Sequence, residues 1–426
     1  MNGWVKMLEN NVNKILTQKI DRIEKAINLG KGDRVPFCTI LGVNAFQANY
    51  AGYSTADLSN DPNKFGHSKV KLVKDFDIDM PFGTPGQNNT IAITLGEDYP
   101  DLRPSIVVMT GRIHSILQDK FTKWPGQELD QTSVPQFVGK KFLELDEYDE
   151  FIENPPKFIN QKIFPRAYRS LENTSSGIAY GALIKWGKEL FIYNAAMQAI
   201  RTELRALGCP QIITVNANNP YDFIADFVRD FDQAIIDFHR NPEKIEAAAE
   251  AMLPYIMKFI EKATSLPPEI MAKFDIQTPL VIYPLHLNSF LNRKFYNKYY
   301  WPMMKKLITA DIKSGRVPLI LFEGDHTPHL ETLLDIPDGK IIAHFERPNW
   351  SKVAEVLKGR QCVMGGIPAS LMVTGTPQDV EEKVREMIEL FDGGKGFILS
   401  FSHYSLPGDT KVENMRAVVN SLNKYS

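Results

Sequence analysis

Cysteine is scarce in this chain of 426 residues: Cys38, Cys209 and Cys362 lie far apart and in no paired motif. That excludes a disulfide framework and a cysteine-only zinc site. No apolar run reaches the roughly 18 residues that a membrane helix needs. The opening stretch, MNGWVKMLENNVNKIL, alternates polar and apolar residues without a solid hydrophobic block, so it does not read as a secretory signal. A reducing, cytoplasmic location is the expectation. An excess of one charge is also missing. Lys and Arg number 49 against 51 Asp and Glu, for a net charge of −2. Neither nucleic acid nor an anionic membrane is expected as the main partner. Basic residues do not cluster with aromatics. G-x-G-x-x-G, P-loop, H-E-x-x-H, C-x-x-C and G-x-S-x-G motifs are all absent, as are repeats and low-complexity linkers.

What is present is ordinary globular composition, 43% hydrophobic and 23% charged. Short β-rich apolar runs alternate with longer helical patterns. The expected strands are Val35–Leu41, Ser105–Met109, Gln211–Val215, Pro279–Leu285, Val317–Phe322, Lys340–Phe345, Gln361–Met364 and Gly396–Phe401. Several are apolar on both faces, as strands of a buried parallel sheet must be. Helix punctuation separates them. Thr376-Pro377-Gln378-Asp379 reads as an N-cap, a first-turn proline and an acidic first turn. Asn241-Pro242-Glu243 opens another helix, and residues 295–313 form a third, broken at Pro302.

This order predicts an α/β fold. A doubly wound sheet would give the same alternation, but the tight strand spacing from Pro279 onward favours a closed (β/α)8 barrel. Residues 1–30 read as a helical extension outside a barrel that occupies 31–426. The stretch at about 110–200 breaks the pattern and reads as an insertion over the barrel mouth.

In a barrel, reactive groups lie just beyond the carboxyl ends of the strands. Here His286 follows one strand, Glu323, Gly324 and Asp325 another, Gly365 and Gly366 a third, and His403 and Tyr404 the last. A carboxylate placed directly after an apolar strand is poorly solvated unless it binds something, which singles out Glu323 and Asp325. Asp77 and Asp79 read equally as a mouth pair or as solvated loop charges. His326 and His329 bracket Thr327-Pro328 and fit a helix-start loop better than a metal pair. His344 fits a satisfied core histidine.

Gly365-Gly366-Ile367-Pro368, Gly375-Thr376-Pro377, the run Gly394 to Ser400 and Pro407 through Glu413-Asn414 resemble the uroporphyrinogen decarboxylase superfamily. So do Arg22 to Pro36 (RIEKAINLGKGDRVP) and Pro220 to Pro254. The resemblance covers the chain from about residue 20 onward and is weakest between 110 and 200. It implies a (β/α)8 barrel and one of two chemistries. One is cofactor-free decarboxylation of a porphyrinogen. The other is methyl transfer with a corrinoid, either to a zinc-held thiol or from methoxylated and methylated substrates.

The residues favour the second. The decarboxylases carry an arginine-rich stretch after the first strand, whereas Thr39 to Gln47 (TILGVNAFQ) contains no arginine. A highly anionic tetrapyrrole would lose its main charge partners there. Even so, His403 falls where that group has a histidine, and Asp77 or Asp79 matches its acidic residue. The thiol-directed methyltransferases place His-x-Cys-Gly after a strand and a second cysteine near the last. In this chain the corresponding positions are Glu323 and His403. Thiolate ligation of zinc by that motif is excluded. Glu323, His403 and His286 remain candidate ligands for zinc or another divalent metal, suited to activating an oxygen.

The leading expectation is a methyltransferase moving a methyl group between a small substrate and a partner corrinoid protein. Glu323, His403 and Asp325 would be catalytic. His286, Asp77, Asp79, Gly365, Gly366 and Tyr404 would bind substrate. The aromatic insertion would shape an apolar pocket and docking face. A decarboxylase of another carboxylated substrate is the runner-up, and a non-catalytic corrinoid- or tetrapyrrole-binding module the third reading. A homo-oligomer is compatible with all three.

Overall fold

The computed structural model describes residues 2–84 and 109–426, with side chains from residue 11. Eight short strands are β1 Cys38–Ile40, β2 Met80–Phe82, β3 Ile212–Asn216, β4 Ile276–Leu285, β5 Val317–Phe322, β6 Ile342–Phe345, β7 Cys362–Ile367 and β8 Phe397–Phe401. Strands β3 to β8 form one parallel ladder in sequence order, and β1 pairs with β2, also parallel. A parallel bridge between Phe37 and Leu399 joins β1 to β8, with Leu399 N–H donating to Pro36 O at 2.9 Å. With helices on the outside, this is the (β/α)8 barrel that the alternation predicts.

Side-chain alternation explains the two cores. Leu280 and Ile282, Leu319 and Leu321, Cys362 and Met364, and Ile398 point inward and pack with Cys38, Met80, Phe82 and Ile342. Their neighbours Val281, Tyr283, Ile320, Phe322 and Val363 point outward and pack against the helical shell. Strands covered on both sides must be apolar on both sides, so these runs were legible. Each fully buried leucine, such as Leu280 or Leu319, contributes about 1.5–3 kcal/mol.

The first helix, Asn2–Ile27, is part of this core. Its Ile23, Ala26 and Ile27 join the interior cluster and close the end where the strands begin. Ion pairs fix it there. Lys19 Nζ reaches Ile78 O at 2.8 Å and Asp77 at 3.2 Å, and Arg22 meets Asp33 at 2.6 Å and Asp79 at 2.8 Å.

Between β2 and β3 no ladder forms among the described residues. Side chains serve the seam instead. Lys69 Nζ, on the helix Pro62–Phe76, donates to Phe82 O at 3.2 Å and Gly83 O at 2.5 Å. Cys209 Sγ approaches Ile78 O at 3.7 Å. The expected strand at Ser105–Met109 lies outside the described residues except for Met109. Strand β2 escaped sequence reading because it is three residues long with a central proline, Pro81.

The insertion holds short helices, a two-residue ladder of Thr122–Lys123 on Gln136–Phe137, and the long helix Gly177–Ala206. It flanks the β3 side of the barrel. Phe121 and Phe137 pack edge-on to Phe227, and the N–H groups of Phe142 and Leu143 both donate to Val228 O. The expected break at Pro302 is a π-helical turn, Tyr296–Tyr300, running into the helix Trp301–Lys313. A proline at the start of the following segment lacks the N–H that an ordinary turn would use. The N-cap predicted at Thr376 forms, and the structure makes it a capping box with Asp379 as its partner. No described helix is long and apolar enough to cross a membrane.

Candidate functional site

The carboxyl ends of β1, β5, β6 and β8 converge on one cleft, and His286, after β4, contacts its Glu323. Ile40 and Leu321 form its apolar wall, and Glu323, His344, Glu346, Ser402, His403 and Tyr404 its polar wall. Glu323 and His403, 80 positions apart in sequence, therefore share one cavity rim. Each is placed by its strand. Glu323 follows the buried β5, its backbone O takes a hydrogen bond from Asn288 Nδ2 at 3.0 Å, and Gly324 N–H donates to Glu346 Oε2 at 2.6 Å. Gly324 has φ +71°, and a Cβ there would lie 2.6 Å from Ser289 Oγ. Only glycine lets the chain turn so tightly behind the carboxylate.

His286 stands between two carboxylates. Its Nδ1 is 2.8 Å from Asp226 Oδ2, and its Nε2 is 3.3 Å from Glu323 Oε1. Burial opposes charging the ring, but Asp226, then Glu323, outweigh it and hold His286 protonated well above the usual histidine range. Behind it, the fully buried Asp222 accepts from His286 N–H at 3.1 Å, Leu287 N–H at 2.9 Å and Tyr300 Oη–H at 2.5 Å. Burial and the neighbouring Asp226 push Asp222 up to about 7. Tyr404 stacks on His403 with ring centres 4.3 Å apart, and burial followed by the Glu323 charge raises its phenol above the ordinary value. Among the described residues no Lys or Arg lines the cleft.

Several expected site residues lie elsewhere. Asp77 and Asp79 precede β2, so they sit at the opposite end of the barrel from the cleft. Asp79 is fully buried, with Arg22 at 2.8 Å, Arg34 at 2.9 Å and Phe37 N–H at 2.8 Å. Asp77 pairs with Lys19 and Arg34. The mouth pair is therefore a structural ion network. Asp325 is exposed and its Oδ1 caps the following turn through Thr327 N–H at 2.9 Å, so it is not a cleft residue. Gly365 and Gly366 are buried inside β7. A Cβ on Gly365 would meet Trp350 at 2.8 Å, and one on Gly366 would meet Met387 at 3.0 Å, so close packing, not substrate, requires them.

The proposed metal ligands do not form a ligand set. Both ring nitrogens of His286 face carboxylates, and His403 Nδ1 accepts from Ser405 N–H at 3.0 Å. Among the described residues no group of three His, Cys, Asp or Glu converges in metal-binding geometry. His326 and His329 are buried in the turn Thr327–Asp335 and its start, against Phe322 and Tyr296. Burial holds His326 well below the usual range. His344 Nε2 donates to Phe401 O at 2.9 Å, as a satisfied core histidine does.

Sequence reasoning missed Asp222, Asp226, Tyr300 and Glu346 as site residues. The signal for the first two was the spacing D-F-I-A-D, which places both carboxylates on one helix face.

A family model described as uroporphyrinogen decarboxylase matches residues 190–425, more than half of the chain. The chain belongs to the uroporphyrinogen decarboxylase family. Among solved structures, a methyltransferase from Methanosarcina mazei is similar over 95% of this chain and 98% of its own, at 12% identity and a TM-score of 0.61. No curated protein matches the sequence.

Proposed function

We propose that the chain is a methyltransferase that moves a methyl group between a small, uncharged or methoxylated substrate and a corrinoid carried by a partner protein. The observation that carries this reading is the line Asp226–His286–Glu323, which ends in a cleft where no Lys or Arg stands among the described residues. An alkoxide or phenolate is a poor leaving group unless it takes a proton as the bond to carbon breaks. In this reading His286 and Glu323 supply the proton donor and acceptor, 3.3 Å apart. The corrinoid supplies a strong nucleophile toward methyl carbon. The methyltransferase similarity in fold supports the same direction. Phe290 and Tyr404, 63% and 46% exposed in the turns after β4 and β8, offer apolar contact to a docking partner.

The decarboxylase reading draws on family membership and on His403. Against it stand the arginine-free segment 39–47 and three carboxylates near the cleft, Asp226, Glu323 and Glu346, which repel a polyanion. Purified protein, a reduced corrinoid protein and a panel of methyl ethers and methylamines test the proposal through the corrinoid absorbance change. Methylation by at least one donor is expected. No methylation across the panel, with carbon dioxide release from a carboxylated substrate, would replace it with the decarboxylase reading. Ligand binding untouched by Glu323→Ala and His403→Ala, with no turnover, would favour a binding module. Elemental analysis for zinc and other divalent metals tests the donor-set geometry directly.

A further inference from the structure

We infer that the irregular turn Ala225–Asp230 is a positioning element, clamped by the insertion, that holds Asp226 on His286 Nδ1 so that Nε2 faces the cleft. The first observation is backbone form. Ala225–Arg229 is a π-helical turn, and Asp230 follows it at φ +77°, ψ +144°. A non-glycine residue there is strained and persists only where its surroundings enforce it. π-turns of this kind interrupt helices mostly where a side chain must be aimed.

The second observation is the clamp. Arg229 is buried, with Nε on Asp237 Oδ2 at 2.6 Å and Nη1 on Leu143 O at 2.8 Å. Tyr148 Oη–H donates to the same Asp237 oxygen at 2.8 Å. Leu143 and Tyr148 belong to the insertion. The insertion thus reaches the turn through a buried cation. A buried, fully paired cation fixes geometry, because any displacement leaves charge unpaired.

The third observation is what the turn and the helix before it, Pro220–Ile224, deliver. Asp222 takes the backbone N–H of His286, and Asp226 takes its ring, 2.8 Å away. One residue is held twice, at main chain and at side chain. With the Nδ1 proton committed to Asp226, Nε2 is the atom left to meet Glu323 and substrate. The positioning role itself needs no substrate to be tested. Its catalytic consequence rests on the function proposed above.

The test is long-range 1H–15N correlation on full-length protein labelled in histidine, with His286→Gln assigning the signal. In the wild type, Nδ1 carries a proton with a strong downfield shift at every pH where the protein is folded, whether or not Nε2 is also protonated. Asp226→Asn is expected to cost about ten- to hundredfold in the preference for that proton site, the range of one charge-assisted hydrogen bond. Asp226→Glu restores part of it. Tyr148→Phe, which leaves Asp226 in place, shifts the signal less and in the same direction. A wild-type proton on Nε2 alone, or an Nδ1 signal unchanged in Asp226→Asn, overturns the inference. Should Asp226→Asn not fold, an unchanged signal in Tyr148→Phe overturns it. Methyl transfer that fails while the Nδ1 signature stands sinks the proposed chemistry and leaves the positioning role intact.

Discussion

The two ends of the barrel hold similar residues in opposite conditions. Where the strands begin, Asp79 is met by Arg22 and Arg34, and Asp77 by Lys19 and Arg34. Where the strands end, Asp226 and Glu323 share one imidazole, and among the described residues no Lys or Arg lines the cleft. A carboxylate whose partners are complete has no capacity left for a ligand. One whose partners are incomplete is costly to keep and retains that capacity. The first end is built for stability, the second for chemistry, and substitutions at each should fail differently.

The largest effect is expected from Asp79→Ala. It removes the one buried carboxylate that Arg22 and Arg34 share and leaves them only the half-exposed Asp33 and Asp77, at a cost of about 3–5 kcal/mol. Urea unfolding measures this. Whatever protein remains folded should turn over normally, since Asp79 is at the far end from the cleft. A full loss of turnover with unchanged unfolding would abolish the contrast between the ends.

Glu323→Gln should do the reverse. Its turnover should fall by about 10²–10⁴, the usual share of a positioned acid or base, while the unfolding midpoint stays nearly fixed. Steady-state rates set beside a urea curve decide it. Equal losses of turnover and stability would make Glu323 a structural residue like Asp79.

The same contrast explains what the sequence could reveal. Strands covered on both faces announce themselves by composition, so β4, β5, β7 and β8 were readable. Residues just past them, such as Glu323, His286 and His403, were readable by position. Asp77 and Asp79 misled because their strand, Met80–Phe82, is too short to be seen, and without it the end of the barrel they occupy is undefined. Gly365 and Gly366 misled because backbone approach to Trp350 and Met387 requires glycine as a ligand would. Asp226 was hidden because its partner is 60 residues away and its aim depends on a π-turn that no local pattern announces.

Lys69 sharpens the comparison with a cation that meets no carboxylate among the described residues. Its amine donates to two carbonyl groups at the β2 seam and lies over the Phe65 ring, and burial lowers it to about 7. The folded state then binds this proton less tightly than the unfolded state. Stability should rise with pH between about 7 and the unfolded value of 10.5, by up to about 1.4 kcal/mol per unit, and be flat in this respect below 7. Lys69→Met should remove that rise. Urea midpoints at pH 6, 7.5 and 9 for both proteins check it, and parallel curves would count against a buried, neutral amine.

The smallest effect belongs to Asp77→Asn. Asp77 touches the same Arg34 as Asp79, yet its side chain is 52% exposed while that of Asp79 is fully shielded. Water screens the exposed pair and already solvates its carboxylate. Its loss should cost no more than about 1 kcal/mol, and 0.5 M salt should shrink the difference further. Arg34 keeps Asp79 at 2.9 Å and the buried Lys19 keeps Ile78 O at 2.8 Å, so each cation retains a bonded partner. A cost matching that of Asp79→Ala would mean that completeness of pairing, rather than burial, sets the strength of this end of the barrel. Comparison of the two unfolding curves separates these causes.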